Sequence, residues 1–189
     1  MKQKLALLSL SAFLAAPAFA APESYTIDPR HTFPMYEVNH LGFSTQRGRF
    51  NTTSGKITID REAKRGTVQV TIDTSSVSSG VPKLDEHLRG EDFFDVAQHP
   101  SMTFKSSNLK FDGDVPVAAE GEITIRGVTK PLTLTITSFK CGVHPVAKKE
   151  VCGADANATV KRSDFGMKYA LPALGDDVKL VINVEALKD

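Results

Sequence analysis

Short segments in which apolar and polar residues alternate recur along this chain, with turn-forming residues between them. The clearest of these segments cover residues 53–60, 67–73, 122–126, 132–137 and 178–185. Because successive side chains of a strand point to opposite faces, the alternation predicts antiparallel strands with one buried and one solvated face. About eight to ten such strands in one domain predict an all-β barrel or sandwich, and a barrel would leave no exposed sheet edge.

One segment, about residues 82–98, departs from this pattern and predicts a short helical insert. Pro82 suits the first turn of a helix, and Gly90 is typical of a helix C-terminus. Leu84 and Leu88 are four residues apart and therefore share one face of the helix. We expect the insert to turn this apolar face inward and its charges to water, as a cap over the interior.

Residues 1–20 are predicted to be a signal peptide that is not part of the fold. They combine a basic start, an apolar run over 5–16 and a small-residue pattern that ends at Ala20. The apolar run is shorter than the roughly 20 residues that span a bilayer. Cleavage after Ala20 would leave residues 21–189 as one mature domain, in the periplasm or secreted. An uncleaved N-terminal anchor is the alternative.

The chain contains two cysteines, Cys141 and Cys152. An even pair in an exported protein favours a disulfide, which here would close a hairpin loop. A metal pair with His144 and a redox pair are the alternatives, but the spacing matches neither kind of motif.

The balance of charge argues against one class of partner. The chain has 23 Lys and Arg residues against 22 Asp and Glu residues, and no basic run stands out. Binding to nucleic acid rests on many basic contacts to phosphates, so no nucleic-acid partner is expected. No apolar run of membrane-spanning length follows residue 20, so no stable membrane insertion is expected either. A homodimer is compatible with these features.

Sequence motifs of catalysis are missing. The sequence contains no HExxH, no GxSxG and no dinucleotide-binding fingerprint. His87 and His99 share the helical segment with several acids, which leaves a metal-assisted hydrolase as an alternative function. Charges on a short amphipathic helix are usually just solvated, so we favour a protein that is not an enzyme and has no catalytic residues, metal or cofactor.

Aromatic side chains are numerous for one small barrel: the chain has 11 Phe and 3 Tyr residues, and all but two of the Phe residues lie after residue 20. They fit an ordinary packed core, as in a secreted interaction or stress protein, or an interior that encloses an apolar ligand. Each buried methylene group of a ligand contributes about 0.8 kcal/mol, so a long chain can bind tightly without any catalytic group.

Three groups of motifs, in order along the chain, resemble the YceI-like family. They are Tyr25-Thr-Ile-Asp28 with Tyr36-x-Val38-x-His40-Leu-Gly42, then Asp85-x-His87-Leu88-Arg89 with Asp92-Phe-Phe94-Asp95 and His99-Pro100, and finally Gly121-x-Ile-Thr-Ile-Arg-Gly127 with Arg162-Ser-Asp-Phe-Gly166. The resemblance extends over essentially all of residues 21–189. It implies an extended antiparallel lipocalin-like β-barrel that holds polyisoprenoid or similar amphiphilic chains inside, often in the periplasm.

The resemblance therefore predicts an exported binder or carrier of a long isoprenoid lipid or a quinone-like molecule. The side chains expected to line the ligand are Tyr36, Val38, Phe50, Phe93, Phe94, Met102 and Phe104, and those expected to hold its polar end near the mouth are His40, Arg89 and Arg162. Pro34, in an early strand, predicts a break or bulge in the ladder at that point.

Overall fold

The computed structural model describes residues 21–189; the predicted signal peptide and its cleavage site lie outside the described residues. The described chain forms eleven strands and one α-helix. They are β1 (Glu23–Ile27), β2 (Phe33–His40), β3 (Ser44–Phe50), β4 (Thr53–Asp60), β5 (Arg65–Asp73), β6 (Val77–Ser78), α1 (Pro82–Arg89), β7 (Ser101–Asp112), β8 (Val115–Ile125), β9 (Val128–Val143), β10 (Glu150–Lys161) and β11 (Leu174–Lys188).

Eight of these strands close into an antiparallel barrel. The order around the barrel is β1, β4, β5, β7, β8, β9, β10 and β11, and β11 pairs back to β1. Tyr25 pairs with Lys188 and Ile27 pairs with Ala186 at this closing seam. The prediction of an all-β antiparallel barrel with a short helical insert is confirmed.

β2 continues the path of β1 along β11 after an interruption at residues 28–32. The prediction that Pro34 breaks or bulges the ladder is wrong. Pro34 pairs with Ile182 inside a continuous β2. It is tolerated because it lies near the start of the strand, and pairing of β2 with β3 begins only at Met35. The interruption comes before the proline.

The end of the barrel that holds β2 and β3 is only partly closed by strands. β6 pairs with β3 through just two residues, Arg49 with Ser78 and Phe50 with Val77. A segment that we call the cap, α1 together with the turns over 90–100, fills the space between β6 and β7. Within the predicted insert the helix ends at Arg89, and the rest of the insert forms turns.

Period-two alternation sets the direction of the side chains. Along β7, for example, Met102, Phe104 and Leu109 are buried inside the barrel, whereas Lys105 and Lys110 are exposed. The other barrel strands present their apolar residues inward in the same way, so the inner wall is apolar throughout its length.

Cys141 and Cys152 form the predicted disulfide, and they lie directly opposite each other in the ladder of β9 and β10. The bridge sits at the end of the barrel remote from the cap and ties the base of the loop over 144–149. It therefore fastens a hairpin whose strands are already paired.

Replacing both Cys141 and Cys152 with Ala should lower the free energy of unfolding by about 2–3 kcal/mol, because the bridge closes a short loop in the unfolded chain. The ladder hydrogen bonds remain, so the far-ultraviolet circular dichroism spectrum should not change. Urea unfolding of the variant, compared with oxidised wild-type protein, measures the effect, and wild-type protein in strong reductant should unfold as the variant does. Equal stability of the variant and the oxidised protein would contradict a structural role for the bridge.

Candidate ligand-binding site

The interior of the barrel contains a cavity of about 680 Å³. This volume falls within the range of roughly 300–1,000 Å³ that is typical of small-molecule sites. Its wall is made almost entirely of apolar side chains from the inward positions of the strands, and the cap covers it at one end. We call this space the barrel cavity.

Small side chains at inward positions explain why this interior is not filled. Barrels of eight strands are just wide enough for ordinary side chains to fill them. On β10, however, Ala154 pairs with Val184 and Ala156 pairs with Ile182, and all four residues line the cavity. Ala119 on β8 lines it as well. These alanines leave volume where larger residues would meet across the barrel.

A glycine allows one aromatic ring to lie flat against the wall. Tyr36 pairs with Gly48 in the ladder of β2 and β3. A Cβ atom at Gly48 would lie 2.3 Å from the Tyr36 hydroxyl, so any other residue at this position would displace the ring. Burial raises the pKa of Tyr36 to about 12, and its hydroxyl therefore stays protonated at physiological pH.

Aromatic rings form the inner surface of the cap. The Phe93 ring lies edge-on to His87, with centroids 5.0 Å apart, and 5.6 Å from Tyr169. Phe94 meets Phe50 edge-on at 5.2 Å between centroids. The predicted cap therefore turns Phe93 and Phe94 towards the barrel cavity.

Two arginines fasten the cap to its neighbours. Arg89 Nε donates to the Ser75 carbonyl oxygen at 2.8 Å and Nη2 donates to that of Val77 at 3.2 Å. On the other side, Arg126, from the turn between β8 and β9, donates to the Glu91 carbonyl oxygen at 2.8 Å. The cap is thus held by hydrogen bonds from charged side chains to backbone oxygens. Such bonds are stronger than hydrogen bonds between neutral groups.

A mouth opens beside the cap. It lies between the turn that joins β2 to β3, the helix α1 and the loop that precedes β11, and Leu41, Leu84 and Tyr169 line it. These three side chains are exposed, and Phe43 in the same turn is 87 % exposed. The mouth therefore offers an apolar path from solvent to the barrel cavity.

A polar cluster closes the end of the barrel that is opposite the cap. Tyr25 is fully buried there, and its hydroxyl lies 2.9 Å from a carboxylate oxygen of both Glu23 and Glu150. Burial raises the pKa of Tyr25 well above its usual value, so the hydroxyl keeps its proton and donates to these carboxylates. Arg61 and Lys188 form ion pairs with both glutamates. The barrel cavity thus has its mouth at the cap end.

Nine of the ten residues predicted to bind ligand line the barrel cavity. They are Tyr36, Val38, His40, Phe50, Phe93, Phe94, Met102, Phe104 and Arg162. Arg89 is not among the lining residues, because its guanidinium faces the backbone of β6 and the turn before it. Contact of these nine with a ligand stays a prediction.

Two of the predicted polar anchors differ in their surroundings. His40 is exposed at the mouth. Arg162 is 3 % exposed, and its guanidinium donates to the carbonyl oxygens of Met167, Leu174 and Gly175. Its donors are engaged by the chain, so Arg162 orders the loop beside the mouth.

Sequence reasoning missed the alanines of β10. The signal for the alanines was present, since Ala154, Ala156 and Ala158 alternate with polar residues over three repeats.

Among residues 21–189, neither His87 nor His99 belongs to a group of three closely spaced potential metal ligands. His87 Nε2 lies 2.8 Å from an Asp92 carboxylate oxygen, as an ordinary pair. In that part of the chain the one group of three potential ligands is Cys141, Glu150 and Cys152, and both cysteines are used in the disulfide. The metal-assisted hydrolase alternative therefore has no support.

Among the described residues there is no helix that is long and apolar enough to cross a membrane. Its single α-helix is short and polar on one face.

The fold and the site together define a class: closed antiparallel barrels that enclose an apolar cavity. Within that class, this chain belongs to the YceI-like domain family, whose model matches residues 25–186. The UPF0312 protein of Pseudomonas aeruginosa strain LESB58 is 35 % identical over 191 residues, which covers 100 % of this chain and 99 % of the relative.

Solved structures agree with this assignment. The YCEI protein of Campylobacter jejuni superimposes with a TM-score of 0.67 at 32 % identity, over 80 % of this chain and 90 % of that one. A polyisoprenoid binding domain from Saccharophagus degradans superimposes with a TM-score of 0.65, over 88 % of this chain and 99 % of that one. At 16 % identity the second likeness shows the fold alone.

Proposed function

We propose that this protein binds a long isoprenoid or similar amphiphilic lipid, including quinone-like molecules, inside the barrel cavity. The observation that carries the proposal is an apolar cavity of about 680 Å³ inside the barrel, whose exposed lining residues lie beside the cap. Burial of a long chain there supplies binding energy at about 0.8 kcal/mol per methylene group, without a need for any catalytic residue. The polyisoprenoid-binding neighbour of the same fold supports the choice of ligand class.

The two ends of the barrel set the orientation of the ligand. The closed end is sealed by charged and buried groups, whereas the mouth carries His40 and Gln46 beside apolar residues. An amphiphile therefore inserts its chain and leaves its polar head at the mouth, where water remains available. Binding in this manner is the role of a carrier or store and not of an enzyme.

The proposal includes export. Residues 1–20 would be removed as a signal peptide, and residues 21–189 would act as one lipid-binding domain in the periplasm or outside the cell. The disulfide between Cys141 and Cys152 supports this location, because such bonds persist in oxidising compartments.

Titration of lipid-free protein with isoprenoid alcohols of increasing length tests the proposal. Farnesol, geranylgeraniol and longer homologues should displace an environment-sensitive dye from the barrel cavity. The affinity should rise with each isoprene unit until the chain exceeds the cavity, and isopentenol, which has the same hydroxyl and a single unit, should not compete. Equal affinities for short and long alcohols, or no displacement by any of them, would refute a chain-binding cavity.

A further inference from the structure

Exposed apolar side chains border the mouth of the barrel cavity on each of its three elements. Leu41 and Phe43 lie in the turn between β2 and β3, Leu84 lies on α1, and Tyr169 lies in the loop that precedes β11. Large apolar side chains that are exposed singly are ordinary, whereas a group of them around one opening indicates a site of interaction. We call these four side chains the apolar rim.

The turn that carries two of these side chains is preformed and strained. Both of its central residues, Leu41 and Gly42, have positive φ angles, of 56° and 76°. Asn-Gly is the usual sequence of such a hairpin turn, because positive φ strains a bulky residue. The Phe43 N–H donates to the His40 carbonyl oxygen at 3.0 Å and closes the turn. A leucine at this position disfavours the turn and is exposed, so its benefit comes from contact outside the fold.

The surroundings of the apolar rim carry more basic than acidic charge. Neither residues 39–47 nor residues 165–174 include an acid. Lys83 on α1 and Lys168 in the loop before β11 are exposed, and neither forms an ion pair within the described chain. Lys83 lies four residues before His87, which lines the cavity, so both side chains are on the side of the helix that faces the mouth.

The two acids of α1 do not neutralise this charge. Asp85 accepts hydrogen bonds from the backbone N–H and from the hydroxyl of Ser79, both at 2.6 Å. Glu86 follows Leu84 by two residues, and side chains two apart on a helix do not face each other. The apolar rim is therefore accompanied by positive charge that the chain leaves free.

The surface of a bilayer that contains anionic lipids matches both properties of the rim. Apolar side chains enter the boundary between headgroups and acyl chains, and lysines are attracted to anionic headgroups. A second copy of this chain fits less well, because a two-fold contact would bring each rim against an identical one and the lysines towards each other. A long isoprenoid chain also leaves a bilayer for water at a cost that rises with every methylene group, and contact between mouth and bilayer avoids that step.

We propose that the apolar rim docks reversibly on the surface of an anionic bilayer, with the mouth of the barrel cavity facing the lipid. The contact is made by side chains of the rim within the headgroup region. This inference rests on the proposed function, and it adds the place where the ligand is taken up or delivered.

Flotation with vesicles tests the apolar part of the contact. Vesicles of phosphatidylglycerol and phosphatidylethanolamine should carry wild-type protein with them. Phe43→Ser should weaken this partition roughly 5- to 10-fold, because one aromatic side chain no longer enters the interface. Val146→Ser is the matched control and should bind as wild-type protein does. Val146 is 83 % exposed, against 87 % for Phe43, but it lies in the loop over 144–149 at the closed end.

Charge provides a second, independent pair of variants. Lys83→Gln combined with Lys168→Gln should weaken partition into the anionic vesicles roughly 10- to 30-fold at low ionic strength. Partition into phosphatidylcholine vesicles should be the same for this variant and wild-type protein. Lys148→Gln combined with Lys149→Gln removes the same charge from exposed positions at the closed end and should have little effect.

The outcomes separate docking from ligand binding. Phe43 does not line the barrel cavity, so Phe43→Ser should bind geranylgeraniol with unchanged affinity in the absence of vesicles. Failure of wild-type protein to float, or an equal loss from the variants at the closed end, would overturn the docking surface and leave ligand binding intact. Self-association that Phe43→Ser abolishes, without flotation, would assign the rim to a second copy instead. If vesicles bind but no isoprenoid alcohol does, the docking surface stands and the proposed function fails.

Discussion

Replacement of Ala156 with Phe should reduce the affinity for a long isoprenoid chain by at least roughly 100-fold while the barrel still folds. Ala156 is buried on β10 and lines the barrel cavity. A phenylalanine ring at this position would occupy space that otherwise holds about four methylene groups of the ligand, which is worth about 3 kcal/mol. Displacement of a cavity-bound dye by geranylgeraniol measures the change.

Thr159→Phe is the matched control for this variant. Thr159 lies on the same strand but is exposed, so the same ring is added outside the barrel. This control should bind the chain as wild-type protein does. Because Ala156→Phe fills an existing cavity, it should avoid most of the about 1–3 kcal/mol that overpacking of a dense core costs. Full binding by a folded Ala156→Phe protein would show that the ligand does not occupy this cavity.

Replacement of Arg162 with Met should lower the free energy of unfolding by about 3–4 kcal/mol, because three backbone carbonyl oxygens lose a charged donor. In the native protein the guanidinium lies 2.8 Å from the Gly175 oxygen, 2.9 Å from that of Met167 and 3.1 Å from that of Leu174. These bonds hold both ends of the loop that carries Tyr169 to the mouth. Urea unfolding measures the loss.

The neighbouring Lys161 provides the comparison. It is exposed and forms a 3.0 Å ion pair with Asp177, another exposed residue. Surface pairs of this kind contribute about 0–1 kcal/mol, so Lys161→Met should have little effect. Arg162→Lys keeps the charge but lacks the planar set of donors, and it should recover only part of the stability. A loss from Arg162→Met no greater than that from Lys161→Met would refute the ordering role of Arg162.

The alternation of apolar and polar residues predicted most of the strands, because it can be recognised within a short stretch of sequence. Each β-strand needs an apolar side chain at every second position, and β4, β5, β9 and β11 show this directly. Closure of the sheet could not be derived in the same way. It depends on the pairing of Tyr25 with Lys188, which are the two ends of the domain, and no local pattern records that contact.

Part of the candidate site was also predicted, because some of its residues lie in local sequence motifs. Aromatic residues in family-like motifs, such as Phe93 and Phe94, identified the cap and much of the cavity wall. The empty volume itself comes from small residues such as Ala156, whose effect depends on what lies across the barrel. Arg89 and Arg162 were predicted as anchors from their charge, but the backbone oxygens that take their hydrogen bonds become visible only in three dimensions.

Native mass spectrometry of the protein, purified without detergent from its own cell envelope or culture medium, tests the central claim most directly. We expect a mass above that of the chain by one lipid, which organic extraction releases as an oxygen-bearing isoprenoid or similar amphiphile. The Ala156→Phe protein, purified in parallel, should not carry it. Repeated recovery of the bare chain mass from wild-type protein, with an extract free of lipid, would contradict the account.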